Sequence, residues 1–514
     1  MMKLPSSFFS VTGNKLRDAF VILIAFLHFL FSLTIVIGTA FFREIPVTSF
    51  HQDLFFSNIV YYGLSIILIG IVLFSPKRIK RLSNRKMRRF ALFVLCSGAL
   101  LTIAISLWIP RLYFYDPKFM WRVAVDFPSN LDLSDDAWYF RRFPYQLNVT
   151  TLFGIIYYLT HKWGLVILCG GFLVFFTCYL VYKTVLKSTG NYEISVISLA
   201  ISLTMLCFSW STYLPYTDNW GMIFPAIMFY IFYANGNNTR RILFIVLLGG
   251  VGYLFKQTTL IPCIAILTAE LLFNYREYSI KNACVILFAI LLSTIIVGII
   301  VPKGVQRLNH LTANPDEEYR MSYFFYLGQN AQYGVNNVED VEFSSKFTNA
   351  QERKEACVNG AIQRIAERGF YGNLKFYVGK LIVATGDGLF STPQGKLEWM
   401  SEETKEEVIQ KRSSFPGSFL IKDGQYFQMY VGLEQVLWNL TLLLMLASCF
   451  FMRDKLVFSL SLTFIGYLLY ILIFENRAKY LFMPLPLFVM LASITIWRLR
   501  GAFMKLRKTN SDGD

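Results

Sequence analysis

The sequence predicts an all-α polytopic membrane protein of about twelve transmembrane helices. Three observations carry this. Of the 514 residues, 55% are hydrophobic and only 16% are charged, against about a quarter charged in a soluble domain. Apolar runs near twenty residues, the length that crosses a bilayer as a helix, recur along the whole chain. The basic residues sit in short clusters at the ends of those runs.

Taken in order, the spans are 20–42, 57–75, 90–110, 164–184, 192–213, 219–234, 242–257, 259–274, 281–301, 428–451, 456–474 and 479–497. The first run is too long for a signal-peptide core and lacks a small-residue cleavage motif. The pair 242–257 and 259–274 is short and meets at Phe255-Lys256-Gln-Thr-Thr, which predicts broken or tilted helices. Residues 77–89 hold Lys77, Arg78, Lys80, Arg81, Arg85, Lys86, Arg88 and Arg89 with no acid. Lys15/Arg17, Arg240/Arg241, Arg276/Lys281 and Arg498–Lys508 are the other basic clusters. With both termini in the cytoplasm, every one of them falls on the cytoplasmic side, which accounts for the net charge of +16. The charge therefore orients the chain and gives no reason to expect a nucleic-acid partner. Most of the eight cysteines lie inside apolar runs as small buried hydrophobes. Neither their spacing nor any other cluster indicates a metal, and no cofactor is expected.

Two polar segments then fall outside the cytoplasm. The first, 111–163, holds Asp116, Asp126, Asp132, Asp135 and Asp136. Its second half, from Leu147 to Trp163, is expected to lie along the membrane interface with Trp163 at headgroup level. The second, 303–427, holds about half of the acids in the chain. A helix is expected there from Asn349 to Glu367, within a mixed extracytoplasmic subdomain. The organisation reads as 1–89, two spans and a basic loop; 90–302, a transmembrane core with the outer loop 111–163; 303–427, the loop subdomain; and 428–514, the last spans and a basic tail.

The outer side gathers the residues that could carry chemistry. Asp116 follows the third span by a few residues, where a carboxylate can act as a general base without burial in hydrocarbon. Tyr139-Phe-Arg-Arg142-Phe-Pro-Tyr145-Gln146 sets arginines among aromatics, a pattern suited to a lipid phosphate or to interfacial anchoring. Tyr213-Leu-Pro-Tyr216-Thr-Asp218 could bring Tyr216 and Asp218 over the same cavity, or make a tight turn. Lys256 is an ionisable group in an apolar stretch. Glu475-Asn-Arg477-Ala-Lys479 places two cations outside, against the positive-inside rule, and either an anionic lipid phosphate or a surface salt bridge with Glu475 would explain them. No nucleotide-binding, zinc-protease or serine-hydrolase motif stands in a convincing context.

The order of these pieces resembles the GT-C superfamily of membrane glycosyltransferases. It runs from an early loop Asp through Phe-Pro-Tyr-Gln, Pro-Tyr-Thr-Asp, Lys-Gln-Thr and a long late loop to Glu475-Asn-Arg-Ala-Lys-Tyr-Leu-Phe-Met-Pro-Leu-Pro. The likeness is to the branch of protein mannosyltransferases and aminoarabinose transferases, and more narrowly to GT-39-like proteins of Gram-positive bacteria. Phe325-Tyr-Leu-Gly-Gln-Asn, Gly334-Val-Asn-Asn-Val-Glu-Asp and Gly386-Asp-Gly-Leu-Phe add to it, and it covers about residues 90–500. The resemblance implies a bacterial cell-membrane enzyme, working outside the cytoplasm by inverting transfer from a polyprenyl-phosphate sugar. It puts the catalytic base at Asp116. Relatives with a loop acidic pair leave Asp126 or Asp135/Asp136 as alternatives. The sequence departs from many relatives in that Asp116 precedes Pro117, and Gln146 follows Pro144-Tyr145.

On this reading Arg142, Lys256, Arg477 and Lys479 bind the donor phosphate. Tyr139, Tyr145, Gln146, Tyr216 and Asp218 line the cavity. The acceptor is a cell-envelope glycopolymer or glycolipid, of teichoic-acid type for example. Two other readings share the outer cations: en-bloc ligation of a polyprenyl-pyrophosphate-linked polymer onto a glycolipid, and transport of a lipid-linked sugar.

Overall fold

A computed structural model describes residues 6–41, 54, 56–74, 84–110, 115–128, 130–233, 238–274, 280–392, 394, 397 and 400–511. Lys77, Arg78, Lys80, Arg81, Arg276 and the loop start at Arg111 lie outside these residues. Among them every regular element is helical. The apolar runs come first as α1 (Ser6–Phe41), α2 (Asn58–Phe74) and α3 (Asn84–Trp108). Three short helices follow: α4 (Tyr115–Val125), α5 (Ala137–Arg142) and α6 (Gln146–Thr160). Then come α7 (Trp163–Thr189), α8 (Tyr192–Cys207), α9 (Thr217–Gly221) and α10 (Ile223–Phe232).

The next run is α11 (Asn238–Phe255), α12 (Leu260–Asn274) and α13 (Ile280–Ile295), which passes through a π-turn into α14 (Val301–Leu308). The long loop forms α15 (Met321–Leu327), α16 (Val338–Ser345), α17 (Ala350–Thr385), α18 (Glu402–Lys411) and α19 (Phe415–Leu420). The chain ends with α20 (Phe427–Ala447), α21 (Lys455–Ile473) and α22 (Leu485–Ser511).

Nine helices among the described residues are long and apolar enough to cross a membrane, and α2 and α8 are shorter apolar helices. The run expected at 219–234 divides at Met222 into α9 and α10, each too short to cross alone. The break expected at Lys256 is there: its extended backbone separates α11 from a 3₁₀ turn leading into α12. The helix expected from Asn349 starts at Ala350, with the Asn349 side chain accepting from the amides of Gln351 and Glu352. It runs past Glu367 to Thr385, bent at Gly369.

Two expectations need correction. The segment 303–427 is helical, with no strand among its described residues, rather than mixed. Residues 147–163 present only one face to the surface, with Ile155, Tyr158 and Leu159 exposed, and Trp163 is not on that face. Leu147, Val149 and Phe153 of α6 are buried, and α6 packs against α4, α7, α11 and α14. Gly154 permits this, since a Cβ there would stand 2.7 Å from Phe127 Cβ. Trp163 is itself buried against Phe153. Its apolar face met a protein partner before it could meet a headgroup.

The core is formed by α7, α8, α20, α21 and α22, whose buried Leu, Ile, Val, Met and Phe side chains make one cluster. Small residues let the helices close up, as membrane helices require in the absence of a hydrophobic drive between them. A Cβ at Gly170 of α7 would meet Trp220 Nε1 at 2.8 Å, and one at Gly171 would meet Thr102 Cγ2 at 3.0 Å. α13 is the opposite case, with almost all of its span bare on the surface.

The two ends of the bundle differ in charge. At one end Glu270 of α12 meets Lys455 of α21 (3.0 Å) and Arg241 of α11 (3.7 Å). Arg498 of α22 pairs with Asp454 there, and Arg500 pairs with Glu193 of α8 at 3.0 Å. Basic groups predicted to share one side thus do share an end. The polar loops gather at the other end of α11, α21 and α22.

Lys380 pins that second end. Its fully buried Nζ donates to the carbonyls of Gly328 (2.7 Å), Phe474 (2.8 Å) and Leu472 (3.1 Å). Three ammonium hydrogens thus satisfy three carbonyls, two of them at the end of α21. Lys380→Met is expected to cost about 3 kcal/mol or more, because it leaves buried acceptors unmet. A thermal-unfolding series against the wild type checks this, and an unchanged midpoint refutes the clamp.

Candidate functional site

Each side chain of the site stands at a helix end or a helix break. There the backbone is free of the α-helical repeat and can aim a polar group into one space. Asp116 opens α4, Tyr139 is on α5, and Tyr145 and Gln146 open α6. Tyr216 and Asp218 stand at the start of α9, and Lys256 stands at the break after α11. Residues 474–484 link α21 to α22 and supply Glu475, Arg477, Lys479 and Tyr480.

Tyr216 is the centre. Its hydroxyl donates to Asp116 Oδ2 at 2.9 Å, and Gln146 Nε2 donates to the same hydroxyl at 3.3 Å. Lys256 Nζ lies 5.6 Å and Lys479 Nζ 5.3 Å from the centre of its ring. Both ammonium groups also lie over Tyr480, at 5.3 and 5.7 Å. Two cations held on the electron-rich faces of the same two rings is a cation–π arrangement.

Carboxylates answer the cations. Lys256 Nζ bridges both oxygens of Asp218 at 3.1 Å. Arg477 Nε donates to Glu475 Oε1 at 3.0 Å, and the Tyr480 hydroxyl donates to Oε2 at 2.6 Å. Lys479 has no carboxylate within ion-pair distance among the described residues. The site therefore sets three carboxylates (Asp116, Asp218, Glu475) against three cations (Lys256, Arg477, Lys479).

The protonation states follow from burial and charge. Burial first, and Asp116 next, push the phenols of Tyr139, Tyr145 and Tyr216 well above the usual tyrosine range. They stay protonated, and Tyr216 donates to Asp116. Burial pulls the Lys479 ammonium down, Arg477 adds to this, and Asp116, Glu475 and Asp218 oppose it. For Arg477 burial works downward too, but Glu475, Tyr480 and Asp116 together raise it.

Polar capacity is left over. Gln146 Oε1, Thr217 Oγ1 and Asn219 Oδ1 are buried and find no hydrogen-bond partner among the described residues. Such atoms are rare unless something else meets them. Beyond Asp116, a small cavity is lined by Pro110, Pro117, Trp121, Trp163, Ile167, Tyr213 and Pro215. It abuts the site through Pro117 and Pro215, the chain neighbours of Asp116 and Tyr216.

Most residues singled out in the sequence converge: Asp116, Tyr139, Tyr145, Gln146, Tyr216, Asp218, Lys256, Arg477 and Lys479. Arg142 does not join them. Its guanidinium lies 5.0 Å from the ring centre of Trp138 and 5.2 Å from that of Tyr319, in an aromatic rim. The other loop aspartates are also elsewhere. Asp136 is buried in an ion pair with Arg122, and Asp132 pairs with Arg141 at 2.7 Å. Asp126 and Asp135 are exposed on the surface. Glu475 pairs with Arg477, as the salt-bridge alternative expected, and Tyr480 is a site residue to which the sequence assigned no role. Its signal was present in the same six-residue motif as Arg477 and Lys479.

A family described as conserved hypothetical integral membrane protein matches residues 156–498. The match takes in Tyr216, Asp218, Lys256 and the 475–480 turn, and begins after Asp116, Tyr139, Tyr145 and Gln146. No curated protein matches the chain. No solved structure matches it.

Proposed function

We propose that this chain, which belongs to the family of conserved hypothetical integral membrane proteins, is a membrane glycosyltransferase of the GT-C type. It moves a sugar from a polyprenyl-phosphate donor to a hydroxyl of a cell-envelope glycopolymer or glycolipid, on the extracytoplasmic side. The observation that carries this is that Asp116 and Lys479 meet at Tyr216 from segments more than three hundred residues apart, with Arg477 two residues before Lys479. A base and a phosphate-holding pair of cations meet where spans end, at the level a lipid headgroup would occupy. The basic end of the bundle is then the cytoplasmic one.

In the reaction, Asp116 takes the proton of the acceptor hydroxyl as its oxygen attacks the anomeric carbon. The bond from that carbon to the phosphate oxygen breaks, and its electron pair leaves with polyprenyl phosphate. Attack opposite the departing group inverts the anomeric centre. Lys479 and Arg477 stabilise the charge growing on the phosphate, which is where preorganised cations contribute most. Tyr216 holds the Asp116 carboxylate in place by a hydrogen bond. Lys256 acts through Asp218, whose charge it neutralises.

Charge balance favours this reading over en-bloc ligation from a polyprenyl pyrophosphate. Three cations already face three carboxylates, which suits a donor of one negative charge better than one of two or more. A transporter would want ionisable groups at mid-span, whereas these lie at span ends. The test uses the purified protein in lipid vesicles with either a polyprenyl-phosphoryl sugar or a polyprenyl-pyrophosphoryl polymer. Release of polyprenyl phosphate from the first is expected. Consumption of the second alone, or lipid scrambling without transfer, overturns the assignment.

A pH dependence follows for Lys479. Its folded pKa lies below the ordinary lysine value of 10.5, so it loses its proton earlier as pH rises. Donor affinity should then fall on the alkaline side, at a pH below 10.5, as the phosphate loses a cation. Lys479→Arg should flatten that limb, because guanidinium stays charged throughout. Donor KM measured across pH for the two proteins decides it, and identical alkaline limbs count against Lys479 as the phosphate ligand.

A further inference from the structure

The second part of α17, residues 370–385, lies across the end of α21. Its two ends are tied to that one place. At the near end, Arg368 donates to the Gln329 carbonyl and to Gln329 Oε1, both at 2.7 Å, and Gln329 Nε2 donates to the Ile473 carbonyl at 3.3 Å. At the far end, Lys380 donates to the carbonyls of Leu472 and Phe474. Between these two ties the Tyr377 hydroxyl donates to Gln329 Oε1 at 3.4 Å, so the helix is held beside residues 472–474 at successive points along its length. Beyond Lys380 the helix reaches α1, where Ile382 fills the space beside Gly38.

Gly369 makes this orientation. Its φ of 59° and ψ of −174° lie in a region open almost only to glycine. The turn frees 370–385 from the direction of 350–368 and presents Phe370, Tyr371 and Leu374 outward, 80%, 83% and 56% exposed. Lys375 is exposed beside them. On the span below, Leu469 and Ile473 of α21 are exposed as well, as are Ile37 and Phe41 at the end of α1. The aromatic patch thus begins at the end of the helix that Arg368 and Gln329 tie to Ile473 of α21, itself an exposed apolar residue.

We propose that residues 370–375 enter the bilayer interface on the side that carries the site, with Phe370, Tyr371 and Leu374 among the lipids and Lys375 at the headgroup phosphates. An apolar and aromatic face with a flanking lysine is the composition that such a helix needs. The consequence is positional. Asn476 of the 474–484 turn donates from Nδ2 to the carbonyls of Lys380 and Tyr333, each at 3.0 Å. The element that touches lipid is therefore bonded directly to the turn that carries Arg477 and Lys479, and it sets those cations at headgroup depth. The proposal goes beyond the glycosyltransferase reading and stands or falls separately from it.

Spin labels test it on the full chain in phosphatidylglycerol–phosphatidylcholine vesicles, with exposed Cys96, Cys169 and Cys284 changed to serine. One label is placed by Tyr371→Cys and a control by Glu355→Cys, an exposed position on the first part of α17. Oxygen, which concentrates in lipid, should relax the label at 371 more than a water-soluble nickel chelate does. The control should show the reverse. A label at 371 as accessible to the chelate as the control overturns the proposal. So does one closed to both reagents, which would mean a protein partner such as a second copy. Loss of the lipid signature in Gly369→Ala, with the control unchanged, is the further expected result.

Discussion

Asp116→Asn should lower transfer by about 10²–10⁴-fold, the range for loss of a general base, while the protein folds normally. Asparagine keeps the shape of the side chain and an oxygen to accept from the Tyr216 hydroxyl, now 2.9 Å from Asp116 Oδ2. What it removes is the capacity to take a proton. Release of polyprenyl phosphate by the variant, at matched folded amounts in vesicles, is the measurement. Activity within a few-fold of wild type would falsify the role of Asp116. Asp135→Asn is the companion experiment, because Asp135 is exposed away from the site and should change nothing. Asp136→Asn should likewise leave transfer unchanged, because Asp136 is paired with Arg122 away from Asp116.

How far the sequence could be read depended on whether a feature was periodic or convergent. Spans are long one-dimensional runs, and their ends carry the basic clusters. That is why Arg241, Lys455, Arg498 and Arg500 meet at one end of the bundle as the charge pattern required. The break at Lys256 was legible because a lysine and three polar residues interrupt an apolar stretch. The cations Arg477 and Lys479 were legible because they stand apart from the other basic clusters in the charge pattern. Partner choice was not legible. Asp116 and Asp136 look alike in the chain, yet one accepts from Tyr216 in the site and the other is consumed by Arg122. Arg142 and Arg477 look alike too, yet Arg142 spends its charge on Trp138 and Tyr319. Trp163 read as a belt residue because its burial depends on Phe153, which approaches only after α6 folds inward.

The Lys256–Asp218 pair offers the second large effect and separates charge compensation from phosphate binding. The two side chains are only 15% and 10% exposed, so solvent does little to soften the loss of one partner. Lys256→Met should cost about 3–5 kcal/mol, because it strands a carboxylate in a nearly dry place. Adding Asp218→Asn removes that stranded charge and should restore most of the lost stability. The double variant leaves two carboxylates facing two cations, so the net charge met by a donor phosphate is unchanged. Donor KM should then stay near the wild-type value. Lys479→Met should do the opposite: with no carboxylate paired to it, its loss should spare thermal stability and raise donor KM by about 10–100-fold, the equivalent of a charge-assisted hydrogen bond. A stable double variant whose donor KM rises as far as that of Lys479→Met would mean that Lys256 itself touches the phosphate. In that case its bond to Asp218 is the resting partner that the donor displaces.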